Sequence, residues 1–401
     1  VVALLWVVAL LNYMDRQMLS TMQVSMKADI HELNQAEAFG ALMAVFLWVY
    51  GIVSPFAGMV ADKVDRKWLV VGSLFVWSGV TLAMGYATSF NQLYYLRGIM
   101  GISEALYIPS ALSLLADWHE GKSRSLAIGI HMTGIYMGQA IGGFGAVVAA
   151  LLLWKTAFHW FGIIGIVYAL VLGMLLHEKP SHGQTLNVAA QKTAPKASLL
   201  SGFGVVLSNW VFWVILFFFA VPSLPGWATK NWLPTLFAQN LGIPMEEAGP
   251  ISTITIAASS FLGVILGGSL SDWWVKRHLK GRVYTSAIGL GMTIPALVLL
   301  GYGHHLSAIV GAGLLFGVGY GMFDANNMPI LCQFISAKQR ATAYGIMNMT
   351  GVFAGAAVTQ VFGKWTDGNQ LGAGFALLGG IVALALVAQL WFLKPKTDNM
   401  E

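Results

Sequence analysis

Charged residues and cysteine are both scarce in this chain of 401 residues. Only 10% of the residues are charged, whereas 57% are hydrophobic and the mean hydropathy is +0.70. A globular domain carries about 25% charged residues, so this composition excludes a soluble protein. The one cysteine, Cys332, lies within an apolar run, which excludes a disulfide framework. The apolar runs are continuous, which excludes a porin barrel with alternating apolar and polar residues.

Sequence signatures of enzymes are lacking as well. The chain contains no P-loop, no G-x-S-x-G and no H-E-x-x-H motif, which removes the support for ATP hydrolysis, serine catalysis and zinc chemistry. We therefore predict that the protein is not an enzyme, that it holds no cofactor or metal, and that its energy comes from an ion gradient. The net charge of +5 comes from short Lys and Arg clusters between apolar runs, so we expect no nucleic-acid partner.

What the chain does contain is a series of apolar runs of helix length. About 20 residues of α-helix cross the hydrocarbon core of a bilayer. Twelve runs of suitable length are predicted as membrane helices, at residues 1–26, 36–61, 68–88, 91–117, 124–150, 156–177, 205–238, 247–271, 283–302, 306–335, 340–363 and 371–393. The sequence therefore predicts an all-α membrane protein with twelve transmembrane helices, surrounded by lipid.

A polar segment divides these helices six and six. We predict an N-terminal bundle at 1–177, a linker at 178–204, a C-terminal bundle at 205–393 and a tail at 394–401. On the linker side lie 16 of the 22 Lys and Arg residues. The positive-inside rule makes this side cytoplasmic, which places both termini in the cytoplasm of an inner or plasma membrane protein. Because Val1 already lies in an apolar run without an initiator Met, we expect a trimmed start.

The two halves of the chain repeat each other. Three motifs occur once in each half at offsets of 210 to 220 residues: Gly58-x-x-x-Asp62 and Gly268-x-x-x-Asp272, each followed by two cations; Glu104-Ala105 and Asp324-Ala325, each followed by a proline; and Gly129-Ile130 and Gly345-Ile346, each followed by Met-Thr-Gly. Internal repeats of this kind build alternating-access carriers, whose binding site lies at the midplane between the halves.

The first of these motifs resembles the loop signature of the major facilitator superfamily. Residues 58–67 (GMVADKVDRK) match the signature after the second helix, and Arg97, Gly101 and the glycines of 134–143 match motifs of the fourth and fifth helices. The sequence departs from the signature at Asp65, where the pattern usually has Gly. The resemblance covers the whole chain and implies the major facilitator fold of two six-helix bundles.

Within that superfamily, residues 12–16 (NYMDR) together with Arg97 and Glu104 resemble the anion:cation symporter family. That family includes carriers of hexuronate, galactonate and sialic acid. The Spinster family of lysolipid exporters shares much of the pattern and is the second match.

Five ionisable residues lie well inside the apolar runs: Asp15, Arg16, Arg97, Glu104 and Asp324. An ionised side chain there costs on the order of 3 kcal/mol or more unless it is paired or wetted, so such residues are functional candidates. Neighbours in sequence, and residues seven apart, cannot pair tightly within one helix. We therefore predict the cross-helix pairs Asp15–Arg97 and Arg16–Glu104. A pair of static ion locks between the first and fourth helices is the alternative.

A planar guanidinium can bind a carboxylate with two parallel hydrogen bonds, so Arg16 and Arg97 are the predicted anion-binding residues. Protonation of a partner acid would free its arginine for a substrate. The family resemblance implies the same assignment, with Asp15 and Glu104 as proton carriers. Further contacts to a polyhydroxylated ligand are predicted from Tyr13, Tyr50, Gln139, Asp324, Asn326, Asn327 and Asn348.

The repeated signature has a different predicted role. In the superfamily it closes the cytoplasmic side through contacts between charges and helix dipoles. The resemblance implies this gating role for Asp62, Arg66, Lys67, Asp272, Lys276 and Arg277. The alternative is that these charges only determine the topology.

Together these features predict a secondary active transporter that carries a small organic anion, a sugar acid of the galactonate, hexuronate or sialate type, together with protons. We expect a monomer that works by alternating access. A lysolipid or amphiphile exporter is the first alternative, and it requires a largely apolar cavity wall in the second half. A non-transporting sensor on the same fold is the second, although no sizeable soluble domain supports it.

Overall fold

The computed structural model describes residues 1–61, 64–119, 122–177, 207–336 and 339–398. Within these ranges the regular structure consists of α-helices and one short 3-10 helix at His31–Asn34. The α-helices are α1 (Val2–Met26), α2 (Ala36–Ala61), α3 (Arg66–Met84), α4 (Phe90–Ala105), α5 (Tyr107–Trp118), α6 (Lys122–Gly142), α7 (Gly145–Leu152), α8 (Trp154–Leu175), α9 (Trp210–Leu241), α10 (Met245–Val275), α11 (Gly281–Tyr302), α12 (Leu306–Asp324), α13 (Asn327–Phe334), α14 (Arg340–Asp367) and α15 (Leu371–Phe392).

These helices confirm the predicted all-α membrane fold. Eleven segments are long and apolar enough to cross a membrane, and the pair α6 and α7, bent by 49°, makes a twelfth. Helices are expected because lipid offers no hydrogen bonds to the backbone, so each crossing must satisfy its own amides and carbonyls. The predicted linker at 178–204 lies outside the described residues.

The repeat seen in the sequence is also present in the packing. In the first half α1 packs on α6, α2 on α4, and α3 on α8, and in the second half α9 packs on α14, α10 on α12, and α11 on α15. Each pair of the first half thus has its counterpart in the second. We call the end of the molecule where α1 begins and α15 ends the near end, and the opposite end the far end.

The glycine repeat of α6 sets how closely this helix approaches α1. A Cβ on Gly134 would overlap the carbonyl oxygen of Trp6, and one on Gly138 would overlap that of Leu10. Small residues are the usual means by which membrane helices pack closely. The repeat therefore fixes the position of α1, which carries Asp15 and Arg16.

The fourth crossing of each bundle is interrupted just after its acidic residue. Leu106 separates α4 from α5 two residues after Glu104, and α12 ends at Asp324 itself, before Asn326 and α13. Interrupted membrane helices are tolerated where they are buried in protein or line a cavity. The two breaks mark equivalent positions near the middle of the molecule.

The bundles contact each other at the far end. The carboxylate of Asp367, at the end of α14, accepts hydrogen bonds of 2.8 Å from the backbone amides of both Ala36 and Glu37, the first residues of α2. Lys364 also forms a salt bridge of 3.1 Å with Glu37. A carboxylate at a helix N-terminus is stabilised by the free amides and the helix dipole, so one bundle caps a helix of the other.

Among the described residues, the hydrogen bonds between the bundles are confined to one half of the molecule. All hydrogen bonds between the bundles that the described ranges contain lie in the far half. Hydrogen bonds therefore hold the two bundles together at the far end.

The closest approach of the two bundles at the far end involves Gly143 and Gly249. A Cβ added to Gly249 in α10 would overlap the carbonyl oxygen of Gly143 in the first bundle. The hydroxyl of Thr253, one turn further along α10, donates to the carbonyl of Ala140 at 3.2 Å. Closure of the far end therefore depends on the absence of a side chain at position 249.

Replacing Gly249 with leucine is expected to hold the far end open, because the new side chain has no space when the bundles close. Spin labels on Glu32→Cys and Gln370→Cys, at the far end of the two bundles, would measure the opening in a Cys332→Ala background. Gly380→Leu is the matched control, since a Cβ there meets no neighbour. We expect longer label distances for the first variant alone, and identical distributions would contradict the closure described here.

Candidate functional site

The centre of the site is a buried ion pair between α1 and α4. The Nε atom of Arg16 lies 2.5 Å from Oε2 of Glu104. The Arg16 side chain is 13% exposed, whereas Glu104 is fully buried. The predicted pair Arg16–Glu104 is thus confirmed, and the arginine is its accessible member.

Aromatic rings surround the guanidinium of Arg16. Its central carbon lies 5.0 Å from the ring centre of Tyr13, 4.7 Å from that of Phe46 and 5.0 Å from that of Tyr50. Such contacts stabilise a cation by about 0.5 to 2 kcal/mol each, depending on desolvation. The rings keep Arg16 charged and oriented, and they bring the predicted residues Tyr13 and Tyr50 to the site.

The predicted pair Asp15–Arg97 is wrong. Asp15 accepts a hydrogen bond of 2.8 Å from the hydroxyl of Thr81 in α3. Arg97 lies 4.7 Å from the ring centre of Phe46 and contacts the sulfur of Met100. Successive residues of a helix point about 100° apart, so Asp15 faces α3 while its neighbour in sequence faces α4.

Arg97 is nevertheless part of the same electrostatic cluster. It interacts with Asp15, Arg16 and Glu104, although it forms no ion pair with any of them within 4.0 Å in the described ranges. Its side chain is only 4% exposed. In this state Arg97 therefore contributes charge to the cluster and is not open to a ligand.

Asp324 is the acidic residue of the second bundle. It is solvent-exposed although it lies in the middle of a membrane crossing, which places it on the wall of the opening between the bundles. One carboxylate oxygen accepts from the amide of Asn327 at 3.1 Å. Asn326 is fully buried and donates to the carbonyl of Met322 at 2.8 Å, so its amide holds the helix break together.

Lys230 of α9 is a charged residue that the sequence analysis overlooked. Its ammonium lies 4.9 Å from the ring centre of Trp227 and interacts electrostatically with Asp324 and Arg16. It lines a cleft between the bundles together with two glutamines of the first bundle, Gln17 and Gln139. This contact brings the predicted residue Gln139 into the site. Asn348, another predicted contact, is half-buried on α14.

A signal for Lys230 was present in the sequence, but none was present for Thr81 or Phe46. Lys230 is a lysine inside an apolar run, which is the criterion that selected Arg16 and Asp324. Thr81 and Phe46 have no such signal, because a threonine or phenylalanine in a membrane helix is unremarkable by composition. Only their side-chain contacts with Asp15 and Arg16 in the structure identify them as partners.

In the first copy of the predicted gating signature, the charged residues that the structure describes have their partners within the first bundle. Arg66 forms a salt bridge with Asp117 at the end of α5, and the ammonium of Lys67 lies 5.0 Å from the ring centre of Trp68. Asp62 lies outside the described residues. The departure at Asp65 has a structural role, since its carboxylate accepts from the amide of Trp68 and caps α3.

The second copy is likewise satisfied within its bundle. Asp272 lies 3.9 Å from Arg282, which also approaches Asp398 in the tail at 3.5 Å. The two cations of this copy are exposed at the near end: Lys276 and Arg277. The gating role of both copies remains a prediction.

The site combines an arginine that can bind an anion, Arg16, with an acid that competes with the anion for this arginine, Glu104. Atom Nη2 of Arg16 and atom Oε1 of Glu104 have no hydrogen-bond partner among the residues that the structure describes. A carboxylate ligand fits an arginine with unused donors. Protonation of the glutamate would weaken its hold on that arginine.

Similar proteins share this chain's fold and length. The family model described as Major Facilitator Superfamily matches residues 5–359. The protein named probable galactarate/D-glucarate transporter of Escherichia coli (strain K12) is 24% identical, covering 98% of this chain and 93% of its own length. The hexuronate transporter of Bacillus subtilis (strain 168) is also 24% identical, covering 98% of this chain and 94% of its own.

Solved structures agree on the fold. A bacterial homologue of the human lysosomal transporter Spinster, in an inward-facing and unoccupied conformation, superposes with a TM-score of 0.75 at 19% identity, over 98% of this chain and 95% of its own. A point mutant of the nucleoside transporter NupG gives a TM-score of 0.78 at 15% identity, over 98% of this chain and 100% of its own. The family model, together with the transporters among the similar sequences, confirms the prediction of a membrane transporter rather than an enzyme. The chain belongs to the Major Facilitator Superfamily.

Proposed function

We propose that this transporter carries a small organic anion, a sugar acid, together with protons, by alternating access. The observation that carries the proposal is the Arg16–Glu104 pair at 2.5 Å, in which Arg16 is the less buried member and its buried Nη2 atom has no hydrogen-bond partner among the described residues. The substrate's carboxylate would take the place of the glutamate on Arg16. Transporters of galactarate, hexuronate and D-galactonate among the similar proteins support a sugar acid as the substrate.

Proton coupling follows from the competition for Arg16. While Glu104 is ionised it occupies the guanidinium and opposes a second carboxylate nearby. A proton on Glu104 removes that charge, so substrate and proton bind together. Asp15 is the second proposed proton carrier, because it is buried and its other oxygen has no partner within the described part of the chain.

The proposed ligand contacts beyond Arg16 are polar on both sides of the opening. Tyr13, Tyr50 and Gln139 contribute from the first bundle, and Asp324 and Asn348 from the second. Hydroxyl, amide and carboxylate groups suit the hydroxyls of a sugar acid. The lysolipid alternative requires an apolar wall in the second bundle, and the charges at positions 230 and 324 argue against it.

Thermal unfolding of the purified protein tests the substrate class. We expect galactonate, glucuronate or galactarate to stabilise it, since a ligand at 100 times its Kd adds about 2.7 kcal/mol, and galactitol to have no effect. Stabilisation by lysophosphatidylcholine and by none of the acids would favour the exporter instead.

Uptake into proteoliposomes tests the coupling. We expect an inwardly directed proton gradient to drive accumulation of the acid that binds, and a protonophore to abolish it. If accumulation instead follows a sodium gradient at equal pH, the coupling ion is sodium and not the proton. Binding without any uptake would favour the sensor.

A further inference from the structure

The internal repeat applies to the charges of the site as well as to the fold. Glu104 and Asp324 occupy equivalent positions 220 residues apart, each at the break of the fourth crossing of its bundle. Arg16 and Lys230 lie on the first crossing of their bundles and are 214 residues apart, within the 210 to 220 offsets of the repeat. Each bundle therefore contributes one cation and one acid from matching places.

A proline explains why the backbone at Lys230 meets the first bundle. Pro234 lies four residues further along α9 and has no amide hydrogen, so the carbonyl of Lys230 lacks its helical partner. Gln17, next to Arg16, donates to that carbonyl at 2.8 Å. This bond crosses between the bundles and holds the two cations of the repeat on either side of one interface.

The second pair differs from the first in being open. Arg16 and Glu104 are in contact, whereas Lys230 and Asp324 interact electrostatically without an ion pair within 4.0 Å. Across the part of the chain that the structure describes, no acceptor lies within hydrogen-bonding distance of the Lys230 ammonium, and its nearest aromatic neighbour is Trp227. A charged donor inside a membrane crossing requires a counter-charge. A counter-charge could reach Lys230 through the cleft between the bundles that it lines.

We infer that Lys230 is a second carboxylate subsite, so that the preferred substrate is a sugar diacid that spans from Arg16 to Lys230. The inference rests on the proposed function, because it assumes that Arg16 binds the first carboxylate. Asp324 competes with the second carboxylate for Lys230, as Glu104 competes with the first carboxylate for Arg16. A monoacid would use only the first pair and leave the lysine without a partner.

Galactarate and galactonate make a matched pair of probes. They share the same chain of hydroxyls and differ only in the terminal group, which is a carboxylate in galactarate and a hydroxymethyl in galactonate. We expect the wild type to bind galactarate at least about tenfold more tightly, as an added charge-assisted hydrogen bond implies. Lys230→Gln should lose that preference and bring the two dissociation constants to within about threefold of each other. Isothermal calorimetry on the purified protein measures both.

Two further variants keep the test decisive. Lys155→Gln removes a lysine that pairs with Asp29 at the far end, and it should retain the wild-type preference. Asp324→Asn removes the acid that competes for Lys230 and should strengthen galactarate binding by about threefold or more. This second variant serves if Lys230→Gln fails to fold.

The outcomes separate this inference from the proposed function. If the wild type binds both acids equally, or if Lys230→Gln keeps the preference, the second subsite is overturned while sugar-acid binding stands. Weaker galactarate binding by Asp324→Asn would also overturn it. If the wild type binds neither acid, the proposed function and the inference both fall.

Discussion

Replacing Arg16 with lysine is expected to weaken binding of a sugar acid by about tenfold to a hundredfold, the largest effect predicted for any single conservative change. Lysine keeps the charge but offers a compact ammonium in place of a planar fork, so it loses the paired hydrogen bonds to a carboxylate. A charge-assisted hydrogen bond contributes about 1.5 to 3 kcal/mol, which corresponds to this range of affinity. Calorimetric titration with the acid that stabilises the wild type measures the loss.

Folding and general charge effects need to be separated from this loss. Arg340→Lys makes the same exchange at the near end, where Arg340 donates to the carbonyl oxygens of Ile335 and Cys332, and should leave affinity unchanged. Unfolding curves of the ligand-free variants report whether each one folds. If the Arg16→Lys protein binds within about threefold of the wild type, the Arg16–Glu104 pair is a static lock and the anion binds elsewhere.

Replacing Glu104 with glutamine is expected to abolish accumulation driven by a proton gradient while exchange of substrate across the membrane continues. The amide resembles the protonated acid in shape and charge, so Arg16 stays available to substrate but no proton is carried. Proteoliposomes loaded with unlabelled substrate would show counterflow of labelled substrate at all pH values. Without a gradient in the substrate itself, they would show no concentrative uptake.

The control for this variant is an acid outside the site. Glu246→Gln changes an exposed residue in the first turn of α10 and should retain gradient-driven uptake. Concentrative uptake by Glu104→Gln at the wild-type level would remove Glu104 from the coupling mechanism. Asp15, the other proposed carrier, would then be the residue to test in the same assay.

The helices and one of the two ion pairs could be predicted from the sequence, because both follow from the free-energy cost of placing unpaired polar or charged groups in lipid. Apolar runs longer than a bilayer is thick have no alternative to crossing it as helices. The same cost required partners for Arg16 and Glu104, and a pairing across two helices was the economical solution. The structure has that pair.

The prediction of the Asp15–Arg97 pair was wrong because a buried carboxylate can take a hydrogen bond from a nearby hydroxyl in place of an ion pair with a cation. Asp15 takes the hydroxyl of Thr81, and this choice depends on which way α3 faces. Periodicity within α1 gives the direction of Asp15 but not the identity of the residue opposite. The same holds for the backbone link from Gln17 to Lys230, which requires two bundles in contact at a proline.

Asp367 links the two bundles at the far end, and in the proposed alternating-access cycle this link has a consequence for substrate affinity. Its two hydrogen bonds to the first amides of α2 exist only while the far end is closed. At about 1 kcal/mol each for partly exposed groups, they favour the closed far end by roughly thirtyfold. Under the proposed alternating access, and with the two states otherwise equal in free energy, only about 3% of the molecules would present an open site to the far side, and the apparent dissociation constant of a ligand from that side would rise about thirtyfold. Asp367 would thus set how much substrate is needed at the far side without touching the substrate.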